Sequence, residues 1–247
     1  MSELHYELTP KNAIAATTQQ RMFELMRSNY DFMTKDNFLA DLNQKQYVGL
    51  LYDKEQTVQG FTTYAINPQN CGTSEYNILF SGDTIIAPEH WGSLELTRGF
   101  CKSVGQFMAW DIHKKWYWYL LSKGHRTYMY LPLFFEAYYP SVAPSSSDNL
   151  LAAIADAVSQ CLYPKYWQKE LGILKFDTKI GQLTPKLAEA TFQKAKKQHV
   201  AFFLKKNPQF YEGEELVCIT DLNPNNAKGF AKEIIVNAMK LNSLLCE

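Results

Sequence analysis

The run from Tyr76 to Ser122 most constrains what this chain can fold into. Tyr76–Ala87 (YNILFSGDTIIA) reads as a strand, and Pro88-Glu89-His90-Trp91-Gly92-Ser93 breaks it. A helical pattern then runs from Leu94 to Trp110 with Ser93 as its N-cap, and the apolar run Trp116–Ser122 (WYWYLLS) reads as a buried strand. Strand, helix and strand in that order form a crossover that makes the two strands parallel and lays the helix on a sheet face. Upstream, Gln46–Asp53 and Thr57–Asn67 are strand-like and only Lys54–Gln56 separates them, so they predict an antiparallel hairpin. The expected fold is therefore α/β (α+β): a mixed, mostly antiparallel central sheet flanked by helices.

Gly82 inside the third of these strands predicts a bulge or a close backbone approach. Two helices precede the hairpin, over residues 13–30 and from Thr34 or Asp36 as N-cap. Arg126–Tyr139 reads as helical with Pro132 as a kink or a start. Pro140–Asp148 is a linker, 149–162 and 185–198 read as helices, and His199–Leu204 and Glu215–Asp221 read as two closing strands. This predicts one domain over residues 1–222 with a helical insertion at about 141–198, and a C-terminal helix within 223–247 packed on it.

Composition removes several classes. Lys+Arg and Asp+Glu are 25 each, so the basic surplus that general nucleic-acid binding needs is missing. No run approaches a membrane span, and the first twenty residues carry no secretory pattern, which predicts a cytoplasmic protein. Five scattered cysteines without a C-x-x-C, and histidines without ligand spacing, predict reduced thiols and no metal. Twelve of the 35 aromatic residues fall between Phe107 and Tyr139, as an aromatic core, part of which could line an apolar groove.

The element order, together with Ile85-Ile86-Ala87-Pro88-Glu89-His90-Trp91-Gly92, resembles the GNAT-type acyl-CoA N-acyltransferase superfamily, and Leu120–Pro140 resembles a divergent group of uncharacterised bacterial proteins on this fold. The resemblance spans about 13–140 and resumes at 199–222. It implies transfer of an acyl group from a coenzyme A or acyl-carrier-protein thioester to a small-molecule or peptide amine, by a monomer or homodimer. The family's pyrophosphate loop is Gln/Arg-x-x-Gly-x-Gly/Ala; the aligned Glu89-His90-Trp91-Gly92-Ser93-Leu94 keeps only Gly92. The implied donor-binding residues are Ile86, Pro88, His90, Trp91, Gly92 and Ser93, with Lys123 and Arg126 from the basic turn that follows Ser122. The family's catalytic carboxylate falls on Asp83 or Glu75, and a backbone amide near Gly82 would polarise the thioester. Its tyrosine position falls on Phe134 or Phe135, which leaves Tyr128, Tyr130, Tyr138 and Tyr139 nearby and Tyr130 as the candidate acid. The alternatives are a catalytically silent protein that binds a small molecule or peptide in the aromatic groove, and an interaction protein using helices 149–162 and 185–198 as a dimer surface.

Overall fold

Along the WYWYLLS run, side chains alternate between two cores, as period-2 geometry requires. Trp116, Trp118 and Leu120 enter one and Tyr117 and Tyr119 the other. A computed structural model describes residues 4–177 and 181–243. Its strands are β1 (His5–Pro10), β2 (Tyr30–Asp31), β3 (Tyr47–Tyr52), β4 (Val58–Ile66), β5 (Tyr76–Ile86), β6 (Lys115–Ser122), β7 (Tyr138–Tyr139), β8 (Trp167–Gln168), β9 (Ile173–Leu174), β10 (Gln182–Leu183) and β11 (Glu215–Asp221). Its α-helices are α1 (Ala16–Asn29), α2 (Lys35–Leu42), α3 (Glu95–Trp110), α4 (His125–Tyr128), α5 (Tyr130–Phe134), α6 (Asp148–Leu162), α7 (Pro185–Phe192), α8 (Gln198–Lys206) and α9 (Gly229–Ser243).

The main sheet has the order β1-β3-β4-β5-β6-β11-β9-β8, with β7 beside β11. Only β5 and β6 are parallel, and α3 crosses between them; every other neighbouring pair is antiparallel. The expected mixed, mostly antiparallel sheet between helices is what forms. From α1 to β6 the elements follow the order read from the sequence, apart from the two-residue β2, which that reading did not include. Helix α2 is capped as expected, with the Thr34 hydroxyl accepting from the Asn37 N–H at 3.1 Å.

Helices α3 and α9 cover one face with Phe107, Val104, Ala231 and Ile235. They cross closely because Gly105 has no side chain; a Cβ there would overlap the Ile235 carbonyl and lie 2.7 Å from Ala238 Cβ. On the other face, α1 and α2 cover Val48, Leu50, Phe61 and Ile85, while α6 covers Ile78, Phe80, Tyr119, Val217 and Ile219. Most of the 107–139 aromatics are therefore core. Strand β1, which the sequence reading did not separate, is held by Tyr6. Its hydroxyl lies 2.8 Å from Ser103 Oγ and 3.0 Å from the Tyr64 hydroxyl, and its ring occupies the space left by Gly49 and Gly99.

Four expectations change. His199–Leu204 is not a strand but lies in α8, where Val200 and Phe203, three residues apart, face inward; a short apolar run fits either structure, and its neighbours decided. The closing hairpin is replaced by β11 alone, seated between β6 and β9. Arg126–Tyr139 holds two short helices and then β7, which pairs with β11 at Ile219 and Thr220. The 141–198 segment is not purely helical: β8 and β9 extend the sheet, and β10 pairs with β2. Cys246 and the end of the 223–247 helix lie outside the described residues.

Candidate active site

The site begins where β5 and β6 part. Their pairing runs from Tyr76–Lys115 to Ser81–Leu120, and β5 then continues alone to Ile86. Against β4, Thr63 opposes Gly82 and Phe61 opposes Ile85, so Asp83 and Thr84 share a single partner position. That is a bulge, as Gly82 predicted, and it twists the strand. Asp83 takes up the distortion at φ +25°, a backbone region L-residues rarely occupy. Gly82 is also the close approach: a Cβ there would sit 2.9 Å from Thr63 Oγ1 and 3.3 Å from Lys45 Cε. Two pockets open around the bulge, at the carboxyl ends of the parallel pair, and share Tyr30, Thr84 and Thr127.

The first pocket, about 260 Å³, is lined by both charged and apolar side chains. Asp83, Asp41 and Glu215 contribute carboxyl groups, Lys45 and Lys123 ammonium groups. Lys45 Nζ pairs with Asp41 Oδ1 at 2.7 Å, and Lys123 Nζ with Glu215 Oε1 at 3.1 Å. Burial raises the Asp83 carboxyl to about 7, reinforced by the Asp41 carboxylate and opposed by Lys45 and Lys123. Asp83 is thus poised to exchange a proton near neutral pH. Burial, with Asp83 and Glu215 nearby, pushes the Tyr30 phenol up.

The second pocket is an open cleft of about 510 Å³ between the α3 N-terminus, the end of β5, α4 and α5. Its charged lining is cationic among the described residues: Arg126 and Lys194, with no carboxylate. The Arg126 guanidinium stacks 4.1 Å above the Trp91 ring, whose Nε1–H donates to the Ile86 carbonyl at 2.9 Å. The N-terminus of the four-turn α3 adds its dipole. The preceding turn is less open than its sequence implied. The N–H groups of His90, Trp91 and Ser93 donate to the carbonyls of Ala87, Pro88 and His90, while Gly92, at φ +104°, allows the turn to close. Ser93 Oγ accepts from the Glu95 N–H at 3.2 Å. Buried His125 bonds Thr191 Oγ1 through Nδ1 at 2.8 Å, and burial, with Lys194 and Arg126, lowers it to about 4.

The structure brings together Ile86, Trp91, Gly92, Ser93, Arg126 and Tyr130 around the cleft, and Asp83 and Lys123 in the acidic pocket. Tyr130 stands beside Thr97 in the first turn of α3, and burial raises its phenol. Pro88 and His90 line neither pocket, and Glu89 is exposed away from both. Glu75 is a correction to the sequence reading: it precedes β5, where its carbonyl accepts from the Lys115 N–H, eight residues and about 26 Å of strand from Asp83. Of the aromatic segment, only Tyr130 and Phe134 reach the cleft. Tyr30, Asp41, Lys45, Tyr163 and Glu215 were missed. Asp41 and Lys45, four residues apart, were the legible hint; the others arrive from distant segments. The 141–198 insertion lines part of both pockets, through Tyr163 and Phe176 on one and Leu187, Thr191 and Lys194 on the other.

No family model and no curated protein matches this chain. Solved structures with a similar chain trace include a conserved protein of unknown function from Enterococcus faecalis V583, at 12% identity and TM-score 0.39, covering 52% of this chain and 32% of that one. This chain thus spans about a third of that protein's length. The GNAT family N-acetyltransferase YhbS from Escherichia coli, in complex with CoA, is similar at 13% identity and TM-score 0.38, over 55% of this chain and 71% of that one. A GNAT-family acetyltransferase from Bacillus anthracis is similar at 10% identity and TM-score 0.38, over 60% and 90% of the two chains. Among the described residues, no helix is long and apolar enough to cross a membrane, and no cluster of His, Cys, Asp or Glu has the geometry to hold a metal ion.

Proposed function

We propose that this chain is an N-acyltransferase that moves an acyl group from a coenzyme A or carrier-protein thioester onto an amine. The observation that carries this reading is the pair of pockets of opposite character meeting at the Asp83 bulge. The cationic cleft suits a phosphate-bearing donor, and the acidic pocket suits an ammonium-bearing acceptor. Tested against the residues present, a pyrophosphate fits the α3 N-terminus and Arg126 better than the 88–93 turn, where the His90, Trp91 and Ser93 N–H groups already donate to nearby carbonyls. Leu94, 48% exposed at the cleft edge, narrows the entry where the family has a small residue.

Asp83 accepts the proton that the amine must lose before its nitrogen can attack the thioester carbon. The bulge leaves backbone amides of β5 outside the regular ladder, and these would hold the oxygen of the tetrahedral intermediate. As the carbon–sulfur bond breaks, Tyr130 donates its phenolic proton to the departing thiolate and recovers one from solvent. Its raised pKa keeps it protonated at neutral pH. The test is a thermal-shift titration with coenzyme A, acetyl-CoA and longer acyl-CoAs. Ligand at about 100 times its Kd adds about 2.7 kcal/mol of stability, a shift of about 5–10 degrees at this size. A shift that Arg126→Ala weakens supports the reading, and no shift with any thioester removes it.

A further inference from the structure

The acidic pocket is specific enough to name the class of amine it takes. Among the described lining residues are three carboxyl groups and two ammonium groups, and each lysine already has its own carboxylate, Asp41 for Lys45 and Glu215 for Lys123. Both lysines are also held over rings, Lys45 Nζ 5.0 Å from Phe80 and Lys123 Nζ 5.6 Å from Tyr30. Asp83 has no lysine of its own and hydrogen-bonds the Asp41 side chain instead, so an ammonium group that took the place of its proton would be the pocket's one added positive charge. Met26, Met33, Phe38 and Phe176 supply apolar wall. The volume of about 260 Å³ lies below the ~300 Å³ where ordinary ligand pockets begin. Beside this pocket, and among the described residues, Thr63 Oγ1 is fully buried with no hydrogen-bond partner, and Gly82 keeps open the corner between it and Lys45.

We propose that this pocket selects a compact primary monoamine with an apolar body, of the phenethylamine kind, whose one ammonium group pairs with Asp83. An amino acid is disfavoured because its carboxylate would sit beside Asp41, Asp83 and Glu215, and displacing the buried Glu215 from Lys123 would leave a desolvated charge without its partner. A polyamine is disfavoured because its second ammonium would face Met26, Met33 and Phe38. The role as acceptor rests on the transferase reading, whereas binding rests on the pocket's charge and shape alone.

The experiment is calorimetric titration of the full chain, with no thioester present, against phenethylamine, 3-phenylpropionate, L-phenylalanine and spermidine. Phenethylamine is expected to bind at least about tenfold more tightly than the other three, and Asp83→Asn to lose about that factor, the size of one charge-assisted hydrogen bond. Glu89→Gln, outside both pockets, is expected to change nothing. Should Asp83→Asn fail to fold, Met33→Trp, which fills the apolar wall, is expected to abolish amine binding and spare thioester binding. Equal or tighter binding of the acid, the amino acid or the polyamine overturns the proposal, as does no amine binding at all. A parallel thioester titration separates the two readings. Thioester bound without amine sinks this proposal alone, and amine bound without thioester sinks the transferase alone.

Discussion

The two pockets share a wall and differ in almost everything else. The acidic pocket is small and holds two carboxylate–lysine pairs; the cleft is about twice its volume and cationic. One residue of strand distortion separates them. A regular β5 would place successive side chains on opposite faces, whereas the bulge sets Asp83 and Thr84 against one partner. The difference teaches that a single irregularity divides a gap between two strands into compartments of opposite charge. Such a division suits a reaction that joins an anionic donor to a cationic acceptor.

The largest test of that contrast is Asp83→Asn. It should lower turnover by about 10²- to 10⁴-fold, the usual contribution of a positioned base. The rise of kcat/KM with pH through about 7 should vanish with it. The sign for stability is also fixed. The folded carboxyl holds its proton more tightly than the unfolded one, so its stabilising contribution is present below about pH 4 and lost as pH rises through about 7. Asp83→Asn should therefore raise Tm at pH 8 and leave it unchanged near pH 4. A variant that keeps the wild-type pH profile would dissolve the distinction between the compartments.

Arg126→Ala acts on the cleft alone. It should raise the donor KM by about tenfold with little change in kcat, since it removes a charge that binds phosphate equally in ground and transition states. An equal loss in the amine KM would show that the two compartments are not independent. Gly82→Val sharpens the contrast from the packing side. Its side chain would press on Thr63 Oγ1 and Lys45, which should cost about 1–3 kcal/mol in denaturant unfolding and weaken amine binding more than thioester binding. The smallest effect belongs to His125. Its folded pKa of about 4 lies below the ordinary 6.5, so its contribution is complete above pH 6.5 and lost as pH falls towards 4. His125→Gln should flatten that part of the Tm–pH curve, and an unchanged curve would remove His125 as its cause.

The parallel β5–β6 pair and the β3–β4 hairpin were legible because each strand carries its own pattern and the connections are short. So was the Gly82 irregularity, which a single glycine in a β-branched and aromatic strand announces. Asp83 was reached through the family resemblance, which put the catalytic carboxylate on it or on Glu75. The remaining site residues were not legible because they are far apart in the chain: Tyr30 follows α1, Asp41 ends α2, Tyr163 follows α6, and Glu215 opens β11. Apart from the spacing of Asp41 and Lys45, none carries a local pattern that marks it as functional. His199–Leu204 failed for the opposite reason, since a local pattern was present but fitted both a strand and a helix.

The sequence by itself determined the layered mixed sheet, the crossover helix and the place of Asp83, because hydrophobic period, turn residues and short connections act over a few residues. Tertiary structure alone decided which charges meet Asp83, that N–H groups of the 88–93 turn are bonded locally, and that the 141–198 segment lines both pockets. The physical reason is range. Burial and Coulomb interactions depend on distance through space, and the segments that set them here lie tens to more than a hundred residues apart along the chain.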